Sequence, residues 1–163
     1  MTIDEFWTTL AGLDPESATE ELSGRLEKLS ASEIAEFQAH FTRVHRQAYD
    51  WLLWGAAYLI DGGCSDDGFT DFRYGLISRG RDFFETALQD PDSLADRLSD
   101  DDFIPNEELG YVASQVYEAK TGEEMPYPDL PPIGDPKGED WDFDNPELCA
   151  QKLPKLFRRY GEG

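Results

Sequence analysis

Basic residues are scarce in this chain, with 14 Lys and Arg against 35 Asp and Glu in 163 residues, a formal charge of −21. A partner recognised through its phosphates needs about one cation for each phosphate neutralised, so the composition disfavours such a partner and no nucleic acid is expected. The same charge opposes docking on anionic lipid. Cysteine is rarer still. Cys64 and Cys149 are too few and too far apart for a disulfide framework, which points to a reduced compartment. No long hydrophobic run is present; the uncharged stretch Trp51 to Ile60 is about half a membrane span. Met1 is followed by Thr2-Ile3-Asp4-Glu5 rather than by a basic and then an apolar region, so no secretory signal is expected. Together these absences predict a soluble, cytoplasmic protein with no membrane contact.

What the chain does have is core material. Apolar residues are 39% and aromatics 13%, including four Trp, too much for a disordered chain despite the charge. The length suits one domain, which we place over residues 1–163. Helical periodicity dominates. Ile3, Phe6, Trp7 and Leu10 predict a short first helix; Asp14-Pro15 reads as a cap followed by Pro at the first position of a helix with Leu22, Leu26 and Leu29. Ser30 and Glu33 form a capping-box pattern. From Ile34 through Phe37, Phe41, Val44, Ala48, Trp51, Gly55 and Tyr58, apolar residues advance by threes and fours. That stripe predicts one continuous helix of about 28 residues, roughly 40 Å long, as the axle of the domain.

Gly62-Gly63 then closes a helix, and Ser65-Asp66-Asp67 supplies the cap and negative charge for the next, with at least one of the two aspartates capping. That next helix is expected to run from Phe69 to Leu88, with Gly75 and Gly80 inside it giving close packing or a kink. Asp90-Pro91 starts a short helix, and Asn106 to Lys120 another. Residues 125–144 are too rich in proline and acid for helix or central strand, and predict an extended arm anchored by Trp141 and Phe143. Asn145-Pro146 opens a final helix that Pro154 bends. The fold class is therefore all-α: a single-domain helical bundle around one long central helix, with an extended, Pro-rich acidic segment.

The string Trp51-Leu52-Leu53-Trp54-Gly55-Ala56-Ala57-Tyr58-Leu59-Ile60, followed after Asp61 by Gly62-Gly63-Cys64-Ser65-Asp66-Asp67-Gly68-Phe69, resembles the bacterial domain-of-unknown-function 4240 family. The likeness continues through Phe72-Arg73, Leu76-Ile77, Gly80-Arg81 and Asp90 to Leu94, with weaker echoes at Glu107, Tyr111, Tyr117 and Leu153 to Leu156. The resemblance implies a small bacterial domain without an established activity, so it assigns no catalytic residue.

The loop Asp61 to Gly68 gathers a thiol, a hydroxyl and three carboxylates at a helix junction. Trp54, Asp61, Cys64, Ser65, Asp66, Asp67, Phe69 and Arg73 are the candidate ligand-binding residues: the carboxylates for a cationic or hydroxyl-rich ligand, Trp54 or Phe69 as a stacking wall. The competing reading makes the same loop helix caps, with Arg73 neutralising a nearby Asp. A calcium loop starting at Asp61 would need Gly and Glu where Asp66 and Phe72 stand. His40 and His45 are five apart and do not share a helix face as zinc ligands four apart would. Cys64 as nucleophile meets local carboxylates that oppose a thiolate. Neither the phosphate-loop string nor a metal or cofactor pattern is present.

From Ser99 to Pro146 the chain carries 14 acids against Lys120 and Lys137. The functional reading is a non-catalytic interaction or regulatory module with an acidic surface, its partner a basic protein or a small ligand. The alternative is a small-molecule-binding protein or enzyme, a hydrolase or transferase, centred on the Gly-Gly-Cys-Ser-Asp-Asp-Gly loop.

Overall fold

The structure, a computed structural model, describes residues 1–161. Ten α-helices follow one another: α1 (Ile3–Leu10), α2 (Ala18–Glu27), α3 (Ala31–Gln47), α4 (Trp51–Asp61), α5 (Asp66–Ser78), α6 (Arg81–Gln89), α7 (Leu94–Arg97), α8 (Val112–Thr121), α9 (Pro146–Lys152) and α10 (Pro154–Tyr160). Short 3-10 turns over Pro91–Ser93 and Glu107–Tyr111 lead into α7 and α8. Among the described residues there is no strand, only one isolated bridge between Asp50 and Lys137. The chain is all-α, as its periodicity predicts.

An aromatic seam holds the first half together. Phe6 of α1 packs on Phe37 and Phe41 of α3, at ring-centroid distances of 5.0 and 6.4 Å, and Phe41 stacks on Tyr74 of α5 at 5.5 Å. Burying one such ring is worth roughly 1.5–3 kcal/mol, more than helix propensity supplies to segments this short. α8 lies against α2 and α3, and α10 against α4. Capping residues mark the helix starts. Ser30 and Glu33 form their capping box, and Thr2 with Glu5 forms a second.

The 34–60 stripe is not one helix. Asp50 leaves the helical region at φ −144° and accepts from the amides of Leu52 and Leu53 at 2.9 and 3.1 Å, capping a new helix. The break is pinned from afar: Trp51 N–H donates to the Lys137 carbonyl, and Lys137 N–H to the Tyr49 carbonyl, both at 2.9 Å. The axle is thus two helices, α3 and α4. The helix expected over 69–88 likewise divides at Gly80, whose φ of +96° no helix accommodates. Gly75, by contrast, does allow close packing. A Cβ there would lie 1.5 Å from the Ile104 carbonyl oxygen. Asp14-Pro15 forms a turn, and α2 begins at Ala18. At the other end Pro154 breaks rather than bends the final helix, starting α10 as its first residue because it has no amide to continue α9.

The segment between α8 and α9 is extended, and its two aromatics do anchor it. Phe143 packs on Trp51, Trp54 and Tyr58 at 5.5–6.2 Å. Trp141 lies against α4 where Gly55 has no side chain: a Cβ there would sit 2.2 Å from the indole ring. Gly55 is the socket for Trp141.

Candidate functional site

The loop between α4 and α5 is built by its glycines and its serine. Gly62, at φ +70°, closes α4 in the left-handed region. Ser65 is the cap of α5, its hydroxyl accepting from the Gly68 amide at 3.2 Å. Neither aspartate caps; Asp66 and Asp67 occupy the first turn, where their charge complements the exposed amides. Trp54 reaches across from α4, and its indole N–H donates to the Cys64 carbonyl at 2.9 Å. The same ring stacks on Phe69 at 5.0 Å and on Trp51 at 5.3 Å. Trp54 is therefore the clamp that fixes the loop to both helices.

Arg73 is the unusual residue. It is only 2% exposed, and among the described residues it forms no ion pair, contrary to the expected pairing with a local Asp. Its guanidinium donates to the Phe69 carbonyl (3.3 Å), the His45 carbonyl (3.1 Å) and the Thr70 hydroxyl (3.3 Å). It also lies over the rings of Tyr49 and Phe69, 4.6 and 4.7 Å from their centroids. Asp66 meets this cation indirectly, because the Tyr49 hydroxyl donates to its carboxylate at 3.1 Å. Carbonyls and π faces replace a counter-ion. Burial lowers the Arg73 pKa from 12.5 to about 10, still far above neutral pH.

His45, from the end of α3, and Tyr49, from the turn after it, complete the cluster. His45 Nε2 donates to the Thr70 carbonyl at 3.0 Å, which fixes the neutral tautomer. The ring stacks on Tyr74 at 4.2 Å. Burial first, and then the Arg73 charge, lower its pKa to about 3. Neither residue stood among the sequence candidates; the only local signal for them was Asp50, which caps α4 just after Tyr49.

The structure thus brings Trp54, Cys64, Asp66, Phe69 and Arg73 together around Tyr49, with Ser65 used as the cap. Asp61 lies at the exposed end of α4, its carboxyl pushed up to about 6 by the atoms crowding it, and Asp67 is exposed. The half-buried Cys64 thiol is pushed up to about 12 by burial and by Asp61. At neutral pH it is not a thiolate. His40 Nε2 donates to the Met1 carbonyl, 2.7 Å away, and among the described residues no group of three or more His, Cys, Asp or Glu is placed to hold a metal ion.

Of the loop, Gly62 lines a cleft of about 230 Å³ that it shares with Tyr58, Phe143, Cys149 and Tyr160. A cleft of about 810 Å³ separates the start of α2 from residues 101–108 and is rimmed by Asp14, Glu16, Glu20, Asp101, Asp102 and Glu108. A groove of about 480 Å³ runs between α3, α8 and residues 124–128, with Tyr74, Tyr111 and Tyr127 in its lining. Of the 14 acids between Ser99 and Pro146, all but Asp102 are exposed.

A family model described as "Protein of unknown function (DUF4240)" matches residues 1–119. No curated protein and no solved structure matches the chain. The family match ends inside α8, so the extended segment and α9–α10 lie beyond it. No helix among the described residues is long and apolar enough to cross a membrane.

Proposed function

The chain belongs to the family of proteins of unknown function DUF4240, and on that footing we propose that it is a non-catalytic interaction module whose partner is a basic protein held by its acidic surface. The observation that carries this reading is the state of the loop. The thiol, indole, hydroxyl and imidazole gathered there are committed to the fold or held away from reactivity. The Cys64 thiol needs a pH near 12 to ionise, and a neutral thiol is a poor nucleophile. His45, the imidazole of this cluster, is a hydrogen-bond donor inside the core and does not protonate until about pH 3. Trp54 and Ser65 spend their polar atoms on the loop itself.

The acids, meanwhile, are exposed and in excess. Ion pairs among the described residues engage Asp4, Glu36, Asp82, Glu85, Asp96, Asp100 and Asp102, leaving most of the Ser99 to Pro146 carboxylates facing water without a cation. Such a field steers a cationic partner and repels an anionic one. The test is calorimetric titration with a lysine-rich and a glutamate-rich peptide at physiological ionic strength. Saturable binding of the lysine-rich peptide alone, weakening as salt rises, is expected. Absence of that binding would overturn the reading, as would turnover of an ester or phosphoester panel that disappears in Cys64→Ser.

A further inference from the structure

The groove between α3, α8 and the proline-rich segment combines two features. The first is aromatic. Tyr127 is 90% exposed and Tyr111 52% exposed, and large aromatic faces left in water are the side chains most enriched at interface centres. Tyr74 forms the floor, fixed by stacking on His45 and Phe41 and by the close approach of Gly110, where a Cβ would lie 2.6 Å from the phenol ring. The second feature is charge. Glu118 and Glu124 outnumber the one cation in the lining, Arg46, whose guanidinium donates to the Pro131 carbonyl.

We propose that this groove is the docking site for lysine or arginine side chains of a basic polypeptide segment; the proposal rests on the interaction-module reading and adds where and how the partner is held. A cation over a tyrosine face, with a carboxylate in reach, gains both the ring quadrupole and a charge-assisted hydrogen bond. The net charge of −21 selects against an anionic or a second identical chain in the same place. A polypeptide rather than a free amine follows from the dimensions. About 480 Å³ of open groove exceeds a single alkylammonium, and exposed Glu123 and Asp129 adjoin its lining in sequence, so cations spaced along one chain are met in series.

The probe is an alternating Lys–Ala peptide, titrated calorimetrically at physiological ionic strength into wild type, Tyr127→Ala, the double variant Tyr111→Ala/Tyr127→Ala, and Tyr111→Phe/Tyr127→Phe. Each lost ring should weaken binding about three-fold and the pair about ten-fold, while the phenylalanine variant stays within about two-fold of wild type. Tyr127 is so exposed that its alanine variant folds whatever Tyr111 contributes to packing. Wild-type affinity in both alanine variants would overturn the groove while leaving a basic partner elsewhere on the acidic face. No binding by wild type would overturn both. Spermidine binding as tightly as the peptide would overturn the polypeptide assignment.

Discussion

Replacing Arg73 separates packing from charge at the centre of the loop cluster. The drop of its pKa from 12.5 to about 10 corresponds to about 3 kcal/mol disfavouring the charged form in place. The guanidinium is therefore an electrostatic liability that the stem, the two rings and the three acceptors offset. Arg73→Ala removes all of these and leaves a void in a site 2% exposed, a loss of about 2–5 kcal/mol, or a Tm fall on the order of 10 °C for a chain this long. Arg73→Met keeps the stem against Tyr49 and Phe69 and discards the buried charge. No buried carboxylate is stranded by it, because Asp66 is exposed and bonded to Tyr49. A volume-conserving exchange of this kind should stay within about 1.5 kcal/mol of wild type. Urea and thermal denaturation measure both variants. In Arg73→Met the His45 pKa, followed by NMR, should rise from about 3 yet remain below 6.5, since burial rather than Arg73 is its larger cause. A methionine variant as unstable as the alanine variant, or an unmoved His45, would refute this reasoning.

Three further outcomes follow from the same geometry. Ser65→Ala should cost about 1 kcal/mol in a thermal melt and Asp67→Ala only a few tenths, because the serine caps α5 and the aspartate merely adds charge to its first turn; the reverse order would contradict the assignment. Gly55→Ala should destabilise by about 1–3 kcal/mol despite better helix propensity, since its methyl group takes the place of the Trp141 ring; in a Trp141→Ala background the same change should stabilise, and a double-mutant cycle without coupling would sink the idea. Asp61, at about 6 when folded and 3.8 otherwise, binds its proton more tightly in the native state, so its contribution is full below about pH 4 and is lost as pH rises through 6. Asp61→Asn should flatten that part of the stability–pH curve and raise stability at pH 7, and an unchanged curve would contradict the crowding at that carboxyl.

Local signals carried the sequence reading as far as local physics reaches. The Ser30–Glu33 box, the glycine closing α4 and the proline-rich character of the arm depend on neighbours a few residues away, and each stands where the pattern put it. The axle failed because apolar spacing survives a helix break when two helices bury the same side. What ends α3 is the pairing of Tyr49 and Trp51 with Lys137, almost 90 residues downstream. Gly55 likewise looks like a weak helical residue until Trp141 is folded onto it. At the loop, the sequence collected the right residues and mistook their bonds. Arg73 faces carbonyls and rings rather than a carboxylate, and the histidine and tyrosine that organise it come from the end of α3 and the turn after it. The tyrosine groove depends on three separate segments meeting, which no spacing rule detects.

The central claim is that the loop is architecture and the acidic surface is what binds. It is tested most directly by titrating the lysine-rich peptide into folded Cys64→Ser and Asp66→Asn beside wild type. All three proteins should bind with one affinity, with the same decline as salt increases. Loss of binding in either variant, at unchanged melting temperature, would contradict it.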